Sequence, residues 1–167
     1  MPKWVLVTII AAVALGAGFL AWKIFFPDEE ARIIRMLDDT AEAASFERNE
    51  PPAAMLIKTR RIEAALDDRV DIAIRVERRD YERIMEKKDI VAAITAGRRA
   101  GGKLKIKLSD ASVKISGDKA IVEATAAVSY KNGDREFSPQ EDATLELVRR
   151  DGNWLISRVR LRSFMEK

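Results

Sequence analysis

Lys103-Leu-Lys-Ile-Lys-Leu108 alternates without exception, with Leu104, Ile106 and Leu108 on one side and three lysines on the other. Alternation with period two marks a strand with one buried face. Beyond Ser109-Asp110 the apolar positions change parity, to Val113 and Ile115. One extra residue within a strand produces this, so the pattern predicts a β-bulge near Ser109–Ser112 that bends the sheet. Three turn signals divide the rest of the chain, from there to Phe164, into antiparallel strands. Gly117-Asp118, as a two-residue loop, sets Val113 opposite Val122 and Ala111 opposite Ala124. Asn132-Gly133, the strongest hairpin signal in the chain, sets Val128 opposite Phe137 and Val122 opposite Ala143. A three-residue loop at Asp151-Gly152-Asn153 sets Leu145 opposite Val159 and Glu146 opposite Arg158. Each register gathers apolar side chains on one face, and a slip by one residue would invert the set.

The predicted inner face is Val113, Ile115, Val122, Ala124, Ala126, Val128, Phe137, Ala143, Leu145, Leu147, Leu155, Val159 and Leu161. The predicted outer face carries Lys103, Lys105, Lys107, Glu123, Glu146, Arg158, Arg160 and Arg162, together with Ile121, Thr125, Thr144, Val148, Trp154 and Ile156. Glu146–Arg158 and Asp142–Arg162 are expected cross-strand pairs, each contributing about 0.2–1 kcal/mol when exposed.

Upstream the period lengthens. Asp28-Glu29-Glu30 places carboxylates in the first turn of a helix, as the helix dipole favours, and Ile33, Leu37, Ala41 and Ala44 extend its apolar stripe toward Arg48. Asn49-Glu50-Pro51-Pro52 breaks it. Pro52 suits the first position of a second helix carrying Met55, Ile62, Ala65 and Leu66, which Asp67-Asp68 ends. Val70, Ile72, Ile74 and Val76 alternate as a strand. Arg78 to Met85 fits either a strand or the start of a helix. Lys88 to Arg99 is helical by its Ile90, Val91 and Ile94 stripe, and Gly97, Gly101 and Gly102 stop it.

The N-terminus is of another kind. Trp4 to Trp22 contains no charged residue and only Thr8 as a polar one. At about 1.5 Å per residue this stretch reaches about 28 Å, close to the hydrocarbon thickness of a bilayer. Trp4 and Trp22 would then sit at opposite membrane interfaces. A cleaved signal peptide is the alternative, with a small-residue site at Gly16-Ala17-Gly18, but cleavage there would leave Phe19 to Phe26 as an exposed apolar stub. The reading taken is an uncleaved anchor over 1–27 followed by one domain over 28–167. Lys3 precedes the span and Asp28-Glu29-Glu30 follow it, which places the domain on the extracytoplasmic side. A periplasmic domain on a bacterial inner membrane fits.

Composition narrows the chemistry. Histidine and cysteine are both absent. That removes imidazole bases, thiol nucleophiles and nearly every transition-metal site. No phosphate-binding glycine loop or calcium loop is present either, so no cofactor and no metal is expected. The whole chain holds 30 basic and 27 acidic residues, net +3; without Lys3 and Lys23 it is nearly neutral, which argues against nucleic acid as a partner. Lys103, Lys105 and Lys107 read as guards on an edge strand.

The bent antiparallel meander preceded by helices, closing on a turn and Trp154-x-Ile156-x-x-Val159, resembles the nuclear transport factor 2-like superfamily, with its ketosteroid isomerase-like and polyketide cyclase-like members. The resemblance spans about Asp28 to Phe164. It implies an α+β domain in which three helices fill the concave side of a strongly curved, mainly antiparallel sheet, forming a cone with a pocket. It implies a strand near Val70–Val76 that crosses the sheet edge, and an outer sheet face that serves as a dimer or partner interface. Isomerase-like members use an aspartate base and an oxyanion donor; no residue of this chain matches that constellation, so no catalytic residue is assigned. The polar residues that the registers place on or near the inner face are Glu141, Asp110, Tyr130 and Ser157, the candidate ligand-pocket set. Glu141 is the sharpest of them, either an inward carboxylate or a strand-end residue just past Pro139 that reaches solvent. Arg158, Arg160 and Arg162 with Trp154 and Ile156 form the candidate interface, since arginine and tryptophan are enriched at contact hot spots.

The expected function is a membrane-anchored, non-catalytic binding or assembly module, an accessory part of an envelope complex acting through a protein partner or a homodimer. The rival is a carrier of a small apolar ligand, or an isomerase-like enzyme using an inward carboxylate. A third possibility is an envelope protein whose domain simply dimerises.

Overall fold

A computed structural model of the chain describes residues 29–76, 79–132, 135–138 and 140–163. The expected anchor, with Trp4 and Trp22, lies outside the described residues; among them no helix is long and apolar enough to cross a membrane. Ile33–Lys167 forms one compact unit, and the division from the preceding unit falls within the first helix.

The elements run α1 (Glu29–Ala44), α2 (Pro52–Ala65), β1 (Leu66–Val76), β2 (Arg79–Glu86), α3 (Lys87–Arg99), β3 (Lys103–Ser116), β4 (Lys119–Asn132), β5 (Arg135–Phe137), β6 (Gln140–Arg150) and β7 (Asn153–Ser163). Helix α1 opens on Glu29 and Glu30, and its stripe Ile33, Leu37 and Ala41 is buried. It stops at Ala44, short of the expected Arg48, because the next residues are drawn to the sheet. Phe46 exchanges backbone hydrogen bonds with Leu104 at 2.8 and 2.9 Å, and Ser45 Oγ accepts the Ile106 N–H at 2.9 Å. These contacts occupy outward-facing groups of an edge strand that would otherwise invite pairing.

Asp67 and Asp68, expected to end α2, lie inside β1 instead. The segment that fitted either period is strand β2. Its antiparallel partner β1 supplies the reason: the two pair from Arg69↔Glu86 to Val76↔Arg79. Tertiary pairing decides where local propensity is balanced.

The strands form one sheet in the order β2-β1-β7-β6-β4-β3, with β5 also paired to β4. Among the described pairings β1–β7 is parallel and the others antiparallel. The bulge in β3 is present where the parity switch placed it. The β3–β4 register shifts between Ser109 and Ser112, and Asp110 takes a left-handed φ of 54° there. Val113 faces Val122 as expected, whereas Ala111, expected opposite Ala124, falls within the bulge and has no register partner.

Two registers differ from expectation. The pairing of β4 with β5 closes at Asn132↔Arg135, so Tyr130 rather than Val128 faces Phe137, and Val122 faces Leu145 rather than Ala143. This is a shift of two residues. Side chains repeat with period two along a strand, so every predicted face survives it.

The second difference moves side chains across the sheet. The β6–β7 turn has two residues, Asp151 (φ 50°) and Gly152 (φ 78°), with Arg150 opposite Asn153. Positive φ at both positions gives the primed turn that matches strand twist. A bulge at Ser157 then restores the expected Glu146↔Arg158 and Leu145↔Val159 pairs. Between turn and bulge the parity is opposite to that expected. Trp154 and Ile156 therefore face inward and are buried, and Leu155 turns outward opposite Val148.

The core is a single cluster. Ile33 and Leu37 of α1 and Ile62 of α2 pack with Leu66, Val70, Val122, Leu145, Leu147, Trp154 and Ile156. Its helical side is tied by a buried polar knot. The side chain of Arg98, in the last turn of α3, is only 2 % exposed. Its guanidinium donates to the Ala43 carbonyl and to Thr59 Oγ1, and its Nε lies 3.8 Å from Glu50 Oε2. Lys58 pairs with the other Glu50 oxygen and donates to the Ser45 carbonyl at 3.0 Å. Burial lowers the pKa of Arg98, with Glu50 opposing that shift.

Candidate functional site

The helices and the apolar cluster occupy one face of the sheet. The other face can be built rung by rung, because residues directly opposite on neighbouring strands share a face. One rung crosses all six strands of the main path: Lys114, Ile121, Glu146, Arg158, Asp71 and Ile84. Its centre is an ion-pair ladder. Arg158 Nε donates to Asp71 Oδ2 at 2.6 Å, and its Nη1 donates to the two Glu146 oxygens at 3.1 and 3.2 Å. Arg160 Nη2 approaches Glu146 to 3.6 Å. The hydrogen bonds to Asp71 and then to Glu146 raise the pKa of Arg158 above its ordinary value. Its charge is fixed in place. On either side of this ladder stands an exposed aliphatic side chain, Ile121 at 45 % and Ile84 at 68 %, and the β3 end of the rung is the charged Lys114.

The next rung is Ser112, Glu123, Thr144, Arg160, Ala73 and Glu82. Together with Asp110, Asp142 and Arg162, parts of both rungs line a shallow depression of about 720 Å³. This face carries a hydrogen-bonded charged centre, exposed carboxylates and guanidinia around it, and exposed aliphatic side chains.

The candidate pocket residues are not brought together. Glu141 is buried on the inner face, opposite Ala126 and Ser163. It does not reach solvent as a strand-end residue would. Asp110 is exposed at the β3 bulge and lines the outer depression, a correction to its expected place on or near the inner face. Tyr130 lies against Gly102 at the α3–β3 junction, where a Cβ on the glycine would come within 3.0 Å of the ring. Ser157 fills the β7 bulge and donates its hydroxyl to the Glu146 carbonyl at 3.0 Å. Of the candidate interface residues, Arg158, Arg160 and Arg162 lie on the outer face as expected. Trp154 and Ile156 do not; they belong to the core.

Asp71 was not singled out in the sequence, although its signal was there. In Val70-Asp71-Ile72 it has the parity opposite to the buried positions. Its partner on β7 is set by a parallel pairing that no turn signal announces. Arg98 had a signal too, since it continues the Ile90, Ile94 stripe by one more turn. Among the described residues no cluster of histidine, cysteine, aspartate or glutamate is placed to hold a metal ion.

The fold is shared with solved structures. A nuclear transport factor 2-like protein of Cytophaga hutchinsonii aligns with a TM-score of 0.62 at 14 % identity, covering 82 % of this chain and 99 % of that one. The fold is that of the nuclear transport factor 2-like proteins. A protein of Kribbella flavida aligns with a TM-score of 0.64 at 17 % identity, over 82 % of this chain and 91 % of that one. A scytalone dehydratase-like protein of Novosphingobium aromaticivorans aligns with a TM-score of 0.60 at 15 % identity, over 82 % and 85 %. At these identities the likeness is one of fold. No family model and no curated protein matches the sequence. With the helices packed on the other side of the sheet, the outer rungs stand uncovered among the described residues.

Proposed function

We propose that this chain is a non-catalytic binding or assembly module, held in a bacterial envelope membrane by an N-terminal span and acting on the extracytoplasmic side through a protein partner. Its contact surface is the outer face of the sheet. The observation that carries the reading is the rung from Lys114 to Ile84, with Arg158 locked between Asp71 and Glu146 and the exposed Ile84 and Ile121 on either side of that ladder. Preorganised charge sets orientation and encounter rate, while exposed aliphatic groups supply the burial that makes a contact persist. The inner side of the central strands supports the same reading, because it packs with the helices into one apolar cluster and leaves a groove of about 470 Å³ only toward β3, between α1 and Leu104–Leu108, among the described residues.

The test is affinity capture of the full chain from detergent-solubilised membranes, comparing the native sequence with Ile84→Asp and Ile121→Asp. Both positions are exposed, so both variants should fold. Loss of the same captured protein from both variants is the expected result; undiminished capture by both would refute the outer face as the contact. Intact-mass measurement on the membrane-extracted chain tests the anchor, and a mature start near Phe19 would remove it.

One observation favours the rival. Glu141 is a buried carboxylate on the inner face, opposite Ala126. Small apolar ligands entering beside it would find one acid or base. A saturable thermal shift with steroid-like or polyketide-like compounds, abolished by Glu141→Gln, would put this reading first.

A further inference from the structure

The opening turns of α2 are apolar on the wrong side. Ile62 and Ala65 face the core, yet Leu56 is 56 % exposed and Ile57 is 55 % exposed. Pro51, Pro52 and Ala53, just before them, are exposed as well. From Pro51 to Ile57 the chain carries neither charge nor side-chain hydroxyl. The helix therefore begins in an apolar tip facing water. Arg60 and Arg61 follow within about one turn, both exposed. The solvent side of α1 is the opposite case, with Arg35, Asp38, Asp39 and Glu42 outward.

We infer that the N-terminal end of α2 docks onto an anionic lipid bilayer, with Leu56 and Ile57 in the headgroup–acyl boundary and Arg60 and Arg61 on lipid phosphates. A helix end that presents branched aliphatic residues with arginines one turn behind them fits that layer. The aliphatic groups leave water, and the arginine stems reach back to the phosphate plane. Basic side chains near an anionic leaflet gain from its surface potential. Glu63 lies two turns beyond Leu56, so the docking end is limited to the opening turns. The Trp4–Trp22 stretch in the same chain argues for a bilayer over a soluble partner, since an anchored domain meets lipid continuously. The inference rests on the proposed anchoring for its setting, and on α2 alone for its chemistry.

The chain contains no cysteine, so single labelling sites are simple to introduce. Full-length Leu56→Cys, labelled with an environment-sensitive fluorophore, is reconstituted into phosphatidylcholine vesicles with and without phosphatidylglycerol. Ser116→Cys, at the exposed end of β3, is the reference. The expected result is a blue-shifted emission at position 56 and a severalfold loss of access to an aqueous quencher when phosphatidylglycerol is present. Position 116 should stay accessible, and Arg60→Glu with Arg61→Glu should abolish the protection. Equal quenching at 56 and 116 in both lipids would overturn the inference. So would protection that ignores lipid charge and rises with protein density, which would mean a contact between copies. Alkaline carbonate extraction of the same vesicles reads the anchor separately, so release of the chain would sink the anchor without deciding the label result.

Discussion

Arg158 Nε lies 2.6 Å from Asp71 Oδ2, joining β7 to β1 across the parallel pair of the sheet. The two residues are 87 positions apart in sequence. Among the described residues Asp71 Oδ1 is buried with no partner of its own, so the bond from Arg158 carries the carboxylate there. Arg158→Ala should therefore destabilise the domain more than Arg162→Ala, whose side chain is exposed on the same strand. Denaturant unfolding of both variants, with the Asp71→Ala and Arg158→Ala cycle, checks this; strict additivity in the cycle would show that the pair contributes nothing.

Trp154 and Ile156 belong to the core, and their removal should behave accordingly. Trp154→Ala should cost about 3–5 kcal/mol and Ile156→Ala about 2–5 kcal/mol, as large-to-small changes in packed interiors do. Chemical denaturation measures both. A loss under about 1 kcal/mol for each would place them on the surface after all.

Ser157 is the residue by which β7 switches parity. Ser157→Ala should cost only about 1 kcal/mol, the hydrogen bond to the Glu146 carbonyl. Deleting Ser157 is a different perturbation. It would force either Trp154 and Ile156 or Val159 and Leu161 to the wrong face, so the deletion variant should fail to give a cooperative unfolding transition. A well-folded deletion variant would mean the bulge can be absorbed elsewhere.

Arg98 joins the half-buried Glu50–Lys58 pair to the C-terminal end of α1. Arg98→Met should cost about 1–3 kcal/mol, because it removes the donors to the Ala43 carbonyl and Thr59 and leaves Glu50 paired with Lys58 alone. Arg98→Lys keeps the charge but loses the fork that reaches Ala43 and Thr59, and should recover only part of the loss. Combining Arg98→Met with Glu50→Gln should be milder than Arg98→Met alone. Thermal melts of the three variants decide the matter; equal stability of Arg98→Met and the native chain would mean that the knot adds nothing to the fold.

Much of this molecule could be read from its residues in order. The Lys103–Leu108 alternation and the parity change after Asp110 located both a strand and its bulge, because side-chain direction along a strand depends only on counting. Gly117-Asp118 fixed its hairpin for the same local reason. At Asn132-Gly133 the register was misplaced by two residues, yet the faces stayed correct, since two is the period. What the sequence could not settle was every choice that depends on chain far away. A three-residue loop at Asp151–Asn153 and a two-residue loop with a bulge at Ser157 give the same Glu146–Arg158 pair. Only the burial of Trp154 beside Leu66 and the helices distinguishes them. Arg79–Glu86 became a strand because β1 was there to pair with it. Asp71 became the partner of Arg158 because β1 and β7 lie parallel, an arrangement fixed by packing the helices on one side of the sheet. Local pattern determined which side chains share a face; long-range packing decided which faces meet, and so which residues remain on the surface to make contacts.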